Sequence, residues 1–295
     1  MTAMIEATAG RSSQTDGSRA SHRRRPRGYL ADAALILVVL TFALPTLFLV
    51  GAAFLTDRAL ISPGWTAELT LNNLSSLFAP DQPFAIQLLN SVMIVVGTVV
   101  LCGGAAVPAG YSLAKLSLAP WLRYPVAAAC AVLPLLPPMT LVPGFYLTLN
   151  HIGLLGTIFG LIVLNTVLNL PFATLLMKLA FDEVPPALRE AALLDGARES
   201  DILFKVMLPL VGPSLATSSL FTAIMTWNEF LMGLTMTSGG TTAPLSVGIA
   251  TLVQPYDMHW GQLAAAGSVA VVPIVLIGIF ANRRLVAGMT RGAVK

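Results

Sequence analysis

The sequence predicts an all-α integral membrane protein with six transmembrane helices, both termini cytoplasmic, and a cytoplasmic helix between the fourth and fifth spans. Two observations support this fold class. Hydrophobic residues make up 56% of the 295 residues and charged residues only 11%, whereas about 25% charged residues is usual in soluble domains. The Lys and Arg residues also fall almost entirely into alternate connections between apolar runs, which indicates the orientation in the membrane.

Six apolar runs are long enough to cross a bilayer, which takes about 20 residues of helix. We expect helices because each backbone N–H and C=O group in lipid needs a partner within its own segment. The third run contains the stretch LPLLPPMTLVPGF, whose four prolines remove intrahelical hydrogen bonds and predict a kinked or broken helix. The runs lie at roughly 30–55, 88–114, 123–149, 155–180, 212–236 and 263–283, and the prolines are Pro134, Pro137, Pro138 and Pro143.

The positive charges predict the orientation of these spans. Of the 17 Lys and Arg residues, 16 lie in the N-terminal tail, in the second and fourth connections, and at the C-terminus, and only Arg58 lies elsewhere. Because cytoplasmic loops carry the excess of Lys and Arg, both termini are predicted to be cytoplasmic. The net charge of +3 is therefore explained by orientation in the cell (inner or plasma) membrane, and it does not indicate nucleic-acid binding.

The chain is predicted to have two parts. Residues 1–28 are rich in Ser, Thr, Gly and Arg, so they are predicted to be a disordered cytoplasmic tail. Residues 29–295 form the six-helix membrane domain. The first apolar run is longer than the 7–15 residues typical of a signal peptide, so we expect an uncleaved first helix.

Cysteine and histidine residues do not form a recognisable reactive or metal-binding pattern. Cys102 and Cys130 each lie inside an apolar run, so we expect two buried, inert thiols and no disulfide framework. His22, His151 and His259 are scattered along the chain, and no spacing typical of a metal site occurs.

The fourth connection, residues 182–212, is predicted to be a helix–turn–helix elbow on the cytoplasmic side. Pro185 and Pro186 suit the first turn of a helix, where a missing N–H costs nothing. Gly196 suits the C′ position that ends the helix.

Both limbs of this elbow have further predicted features. Leu188, Ala191 and Ala192 share one face of the first helix, and Ser200 or Asp201 is predicted to cap a second helix. Two interpretations stay open from these residues alone: a surface that docks against another protein, or an amphipathic helix that only packs against the bilayer.

The segment EAALLDGA…F…LP, from Glu190 to Pro209, resembles the EAA motif of permease subunits in binding-protein-dependent (MetI-like) ABC importers. Trp227 to Phe230, WNEF, is similar to a signature of the carbohydrate branch of that family. Residues Arg283 to Lys295 resemble the C-terminal tail of maltose-type permease subunits. The resemblance covers about residues 30–295.

The resemblance implies that the elbow contains a coupling helix, which docks in a groove of a separate ATP-hydrolysing subunit. The implied partners are a second homologous permease subunit, two ATPase subunits and an extracytoplasmic solute-binding protein. The sequence has no Gly-Lys dipeptide and no GxxxxGK[ST] loop, so we expect no cofactor in this chain, with ATP and Mg on the ATPase, and no enzymatic activity of its own. The implied docking residues are Glu190, Ala191, Ala192, Asp195, Gly196, Leu208 and Pro209.

Polar residues inside the spans are candidates for a translocation pathway, because such residues are expensive in lipid. Asn165 and Asn169 share one face of the fourth span. Trp227, Asn228 and Glu229 lie in the fifth span. The competing interpretation for the asparagines is interhelical hydrogen bonding, and for Glu229 it is a structural or gating hydrogen bond.

The resemblance implies import of a sugar or sugar-like solute. A glycerol-phosphate or other polyol importer is the alternative within the family. A secondary transporter driven by ions is less favoured, because such proteins usually show intramembrane carboxylates or inverted repeats and only Glu229 is available. An intramembrane enzyme would need clustered His, Asp or Glu residues, which the sequence lacks.

Overall fold

The computed structural model describes residues 29–62, 68–238, 240–254 and 258–292, with side chains between residues 31 and 279. The predicted tail, residues 1–28, lies outside the described residues. The helices in chain order are α1 (Tyr29–Ala52), α2 (Asp57–Ile61), α3 (Asn72–Leu77), α4 (Phe84–Lys115), α5 (Pro120–Val132), α6 (Pro138–His151), α7 (Ile158–Asp182), α8 (Pro186–Leu194), α9 (Glu199–Asp201), α10 (Leu208–Leu210), α11 (Gly212–Trp227), α12 (Leu231–Thr237), α13 (Leu245–Thr251) and α14 (Trp260–Gly292).

Four helices, α1, α4, α7 and α14, are long and apolar enough to cross a membrane. They correspond to the predicted first, second, fourth and sixth spans. Two helix pairs meet the same length and composition criteria but are bent, by 110° between Pro120–Leu135 and Pro138–His151 and by 81° between Glu199–Leu210 and Gly212–Trp227. The described part of the chain therefore has four to six apolar spans.

The break that the prolines predict in the third span is confirmed. Helix α5 ends at Val132 and passes through a 3₁₀ turn, Leu133–Leu135. Leu136 and Pro137 then adopt extended backbone, and Pro138 begins α6. A proline at the first helical position gives up no hydrogen bond, so the sequence restarts a helix in a new direction.

The predicted fifth span, 212–236, is wrong as a single helix. Helix α11 ends at Trp227, and α12 begins at Leu231. The break between them starts at Asn228. The carboxylate of Glu229 accepts hydrogen bonds from the backbone N–H groups of Met232 (2.9 Å) and Gly233 (3.0 Å). A negative charge stabilises a helix N-terminus, so this side chain favours the start of a separate helix.

The chain divides at Pro45 into two compact units. In the first unit, the structure describes the part of α1 that ends at Pro45. This part of the helix is apolar from Leu35 to Leu40. The second unit, Thr46–Lys295, contains all the remaining helices.

Helices α4 and α7 pack closely along their length in the second unit. Gly97 of α4 lies against Ile162 of α7, and Gly110 lies against Met177. Residue numbers therefore rise in the same direction along both helices, which makes the pair parallel. Small residues at such contacts let two helix backbones approach closely in lipid.

A buried cluster joins the carboxyl ends of α4 and α7 to the elbow. Tyr111 and Phe181 meet edge to face, with ring centroids 5.5 Å apart, and Ile202 and Met207 pack beside them. Another cluster, at the amino ends of the same two helices, includes Ile94, Leu161 and Met232. The prediction that Cys102 and Cys130 are buried free thiols is confirmed.

Candidate functional site

The first limb of the elbow is a short helix with well-defined ends. Pro185 is the N-cap of α8 and Pro186 is its first residue, as predicted. Asp195 is the C-cap, and Gly196 follows with a φ of +80°. This left-handed conformation suits glycine, which confirms the prediction for Gly196.

The turn after α8 is a Schellman motif. The N–H of Gly196 donates to the carbonyl of Leu193, and the N–H of Ala197 donates to the carbonyl of Ala192, both at 3.0 Å. These two bonds have the pairing that defines the motif. Ala192 and Ala197 also pack against the buried cluster, so the turn is held on its inner side.

The outer face of α8 is apolar and exposed. Leu188, Ala191 and Leu194 follow one another at a spacing of three residues, and Leu194 is 89% exposed. Glu190 and the C-cap residue Asp195 are exposed as well. Ala192 differs from these α8 residues because it is half-buried against this chain's own core. Leu194 was missed from the sequence, although its position just before Asp-Gly marks it as the last apolar residue of the helix.

The second limb begins differently from the prediction. Ser200 or Asp201 was expected to cap it, but Arg198 occupies the N-cap position of α9 and makes no side-chain cap bond. The prediction was wrong because the Schellman motif ends at Ala197 and α9 begins at Glu199. The turn is therefore too short for Ser200 or Asp201 to be the N-cap.

A π-helix, Ile202–Met207, connects α9 to α10. The N–H of Leu208 donates to the carbonyl of Leu203, five residues earlier. Pro209 has no N–H, and its ring would clash with the carbonyl four residues before it in an α-helix, so the wider turn accommodates it. Leu208 packs against the buried cluster, whereas Pro209 is exposed.

The two predicted asparagines lie on α7. Asn165 is buried and donates to the carbonyl of Leu161 at 2.9 Å, while its Oδ1 atom has no hydrogen-bond partner among the described residues. Asn169 donates to the carbonyl of Asn165 at 2.8 Å and lies 3.5 Å from the hydroxyl of Thr226 on α11. The second contact links two helices, which favours the interhelical hydrogen bond for Asn169.

The WNEF segment forms the break between α11 and α12. Trp227 is buried in a core cluster, and Asn228 is exposed and donates to the carbonyl of Ile224 at 2.8 Å. The side chain of Glu229 caps α12, and its backbone carbonyl accepts a hydrogen bond from Ser246 at 2.8 Å. These contacts favour the structural role for Glu229.

A cavity of about 230 Å³ adjoins this break. It brings Trp227 and Asn228 together with Ser246, and it does not include the α7 asparagines or the carboxylate of Glu229 among its described lining. An aromatic face, an amide and a hydroxyl are set here in an apolar wall. None of the described lining side chains is charged. The lining is Trp227, Asn228, Leu245, Ser246, Ile249, Ala270, Val271 and Ile274.

Two residues near the start of α4 hold the segment between α12 and α13. The side-chain amide of Asn90 donates to the carbonyls of Thr241 (2.9 Å) and Ala243 (3.0 Å). The hydroxyl of Ser91 accepts from the N–H of Leu245 at 2.7 Å. We call Asn90 and Ser91 the latch. The sequence showed them only as two polar residues near the start of a span, with no sign of their partners.

The other side of the same segment is also bonded. The hydroxyl of Thr242 donates to the carbonyl of Gly156 at 2.7 Å, and the N–H of Gly156 donates to the carbonyl of Met236 at 3.0 Å. Gly156 has a φ of +75°, which glycine adopts without strain. The α12–α13 segment is thus fixed to both α4 and the turn before α7.

A family model and two similar relatives indicate the same family of proteins. The family model described as "Binding-protein-dependent transport system inner membrane component" matches residues 106–291. A probable ABC transporter permease protein of Sinorhizobium fredii is 32% identical over 263 residues, covering 88% of this chain and 92% of that protein. The trehalose transport system permease protein of Mycobacterium tuberculosis is 32% identical over 231 residues, covering 78% and 83% of the two chains.

Solved structures show the same fold. A chain in the crystal structure of a bacterial ABC transporter involved in the import of the acidic polysaccharide alginate is similar with a TM-score of 0.73, at 20% identity. The similarity covers 87% of this chain and 95% of that one. The family model spans more than half of the sequence and includes the elbow, the WNEF break and α14 up to residue 291. This chain therefore belongs to the family of binding-protein-dependent transport system inner membrane components.

Proposed function

We propose that this chain is the transmembrane permease subunit of an ATP-driven ABC importer, which translocates a sugar or sugar-like solute by alternating access. Family membership supports the transport role and disfavours both an ion-driven secondary transporter and an intramembrane enzyme. The observation that supports coupling to an ATPase subunit is the exposed apolar face of α8. Leu194 is 89% exposed there, on a helix whose inner side is anchored by Ala192.

The proposed topology has six spans in the inner or plasma membrane. The bent pair of α5 and α6 would then cross the bilayer once, as the third span, and α11 together with α12 would form the fifth span. The support is the distribution of Lys and Arg, from which we infer that both termini and the elbow, residues 182–212, lie on the cytoplasmic side. The α12–α13 segment and the latch would lie on the opposite side, towards the solute-binding protein.

The energy for transport would come from other chains. We propose a complex with a second homologous permease subunit, two ATPase subunits that bind ATP and Mg, and an extracytoplasmic solute-binding protein. In this complex α8 is the coupling helix. Its exposed residues would contact the ATPase subunit, while Ala192 and Leu208 hold the elbow in place from the inner side. The proposed contact residues are Glu190, Ala191, Leu194, Asp195, Gly196 and Pro209.

Leu194→Glu tests the docking of α8. Full burial of a Leu side chain is worth about 1.5–3 kcal/mol, and Glu would lose it, so we expect at least about tenfold less ATPase subunit to co-purify with this permease. The matched control is Leu71→Glu, which makes the same change at a residue that is 70% exposed outside the elbow. Undiminished recovery of the ATPase subunit with Leu194→Glu would show that α8 is not the docking helix.

The solute is proposed to be uncharged. The cavity beside Trp227 and Asn228 offers hydrogen-bonding groups and an aromatic face, which suit a hydroxyl-rich ring, whereas a phosphate group would need a cationic partner. A glycerol-phosphate importer remains the alternative if the second permease subunit supplies that charge.

Binding to the cognate extracytoplasmic protein tests the choice of solute. We expect neutral sugars to bind at least about tenfold more tightly than their phosphorylated forms in calorimetry, since an unpaired buried charge costs more than 1.4 kcal/mol. A clear preference for the phosphorylated form would overturn the neutral solute and leave the docking of α8 untouched.

A further inference from the structure

Three polar side chains from three elements meet beside the elbow. The hydroxyl of Tyr111, in the last turns of α4, donates to Oε2 of Glu199 at 2.6 Å. The guanidinium of Arg189, on α8, forms an ion pair with the same carboxylate through Oε1 and also donates to Oε2 at 3.4 Å. We call Tyr111, Arg189 and Glu199 the clasp. Both oxygens of one carboxylate thus join α4, α8 and α9.

Burial and ring packing hold Tyr111, the α4 member of the clasp, in position. Tyr111 is only 2% exposed, and its ring packs against Phe181 of α7. The hydrogen bond that Arg189 donates to the Glu199 carboxylate raises the pKa of Arg189, which keeps the guanidinium charged. Charged groups make hydrogen bonds roughly twice as strong as neutral ones, so the carboxylate links its neighbours more strongly than an amide would.

A second contact ties the same end of α4 to the beginning of the elbow. The ammonium group of Lys115 donates to the carbonyl of Val184 at 2.7 Å. Helix α8, which is described in full, contains no buried residue, and its packing against the buried cluster is through Ala192. Polar contacts to α4 through Glu199 and Val184 therefore add to the packing of Ala192 in holding this part of the elbow to the membrane helices.

Helix α4 also reaches the latch. Phe84–Lys115 is one continuous helix of 32 residues, with Asn90 near its amino end and Tyr111 near its carboxyl end. At 1.5 Å per residue, these two residues are about 30 Å apart along the axis. One helix thus carries the clasp at one end and the hydrogen bonds to the α12–α13 segment at the other.

We propose that the Tyr111–Glu199–Arg189 clasp makes α4 move with the coupling helix, so that displacement of α8 reaches the latch on the far side. Glu199 is the positioning residue of this connection, since it bonds both α4 and α8. The inference rests on the proposed function, because it needs an ATPase subunit that moves α8. It adds a specific physical connection between two sites, which is what a coupling claim requires.

Glu199→Gln and Tyr111→Phe test the clasp in the complete transporter. The complex, with ATPase subunits and binding protein, is reconstituted in liposomes, and solute uptake and ATP hydrolysis are measured together. We expect recovery of the ATPase subunit to stay unchanged and uptake per ATP hydrolysed to fall about tenfold, as loss of one hydrogen bond to a charged group allows. Tyr111→Phe removes a single oxygen atom, so it keeps the test valid if Glu199→Gln folds poorly.

Two further variants separate coupling from general damage to the elbow. Asp201→Asn removes a neighbouring ion pair, with Lys205 at 2.6 Å, that bonds neither α4 nor α8, so uptake per ATP should stay unchanged. The exchange Arg189→Glu with Glu199→Arg restores opposite charges, and it should recover part of the lost uptake per ATP.

The outcomes are distinct from those of the docking test. Unchanged uptake per ATP in both Glu199→Gln and Tyr111→Phe would overturn the clasp while α8 remained the docking helix. Loss of the ATPase subunit from Glu199→Gln would also overturn it, because Glu199 would then act in docking. An equal loss of uptake per ATP with Asp201→Asn would show that any disturbance of the elbow has the same effect.

Discussion

Gly110→Ala is expected to force α4 away from α7 and to lower the free energy of unfolding by roughly 1–3 kcal/mol. A Cβ atom at this position would lie 2.7 Å from Cβ of Met177 and 2.8 Å from the backbone nitrogen of Lys178. A backbone atom cannot rotate away as the tip of a side chain can, so the two helices have to separate. Close packing is a main source of helix association in lipid, and one methyl group would therefore disturb the whole α4–α7 pair.

The same substitution six residues earlier in α4 is the control. Beyond the neighbouring backbone of α4 itself, no described atom lies within 4 Å of where a Cβ atom on Gly104 would be. Gly104→Ala should leave stability unchanged or raise it by about 0.5–1 kcal/mol, because alanine loses less backbone entropy than glycine in a helix. Thermal unfolding of both variants in the same detergent measures the difference. Equal melting temperatures would mean that Gly110 is not a point of close contact.

The long apolar runs predicted α1, α4, α7 and α14 because hydropathy and length alone decide whether a helix suits a bilayer. The break in the third span was predictable as well, since Pro137 and Pro138 cannot continue a helix. The break in the fifth span carries no such signal. It depends on Glu229, whose carboxylate caps α12, and a lone acid in an apolar run fits a pathway as well as a cap.

Helix α8 shows a similar division between local and tertiary information. Pro186 and Gly196 predicted its two ends through rules that act within a few residues. Which alanine faces outward was not predictable, because the inner side is chosen by the cluster around Phe181 and Met207. Ala191 is consequently exposed and Ala192 half-buried, and Leu194 becomes the most prominent apolar group on the outer face.

The latch depends on tertiary structure most of all. The partners of Asn90 lie about 150 residues further along the chain, and they are backbone carbonyls, which any residue type supplies. No sequence pattern marks them. The buried amide nevertheless satisfies two carbonyls in the interior, and such groups are costly to leave without a donor.

Asn90→Asp is expected to release the α12–α13 segment. The substitution keeps the shape of the side chain but replaces the NH₂ group, which donates to Thr241 and Ala243, with an oxygen that faces those carbonyls. Loss of two donors to buried carbonyls should cost about 2–4 kcal/mol of local stability. Since each 1.4 kcal/mol is a factor of ten, the amide of Leu245 should exchange with deuterium at least about 30-fold faster in mass-spectrometric measurements.

Asn150→Asp provides the matched control, because it makes the same chemical change on an exposed side chain of α6. Exchange at Leu245 should then be unchanged. Ser91→Ala removes the acceptor of the Leu245 N–H, and its effect should not add fully to that of Asn90→Asp, because residues that hold one segment are coupled. Wild-type exchange rates in Asn90→Asp would mean that the segment is held by Gly156 and Thr242 instead. The clasp and the latch share α4. Release of the latch should therefore also abolish the effect of Tyr111→Phe on uptake per ATP, because α4 would no longer be bonded to the α12–α13 segment and could not pass on the movement of α8.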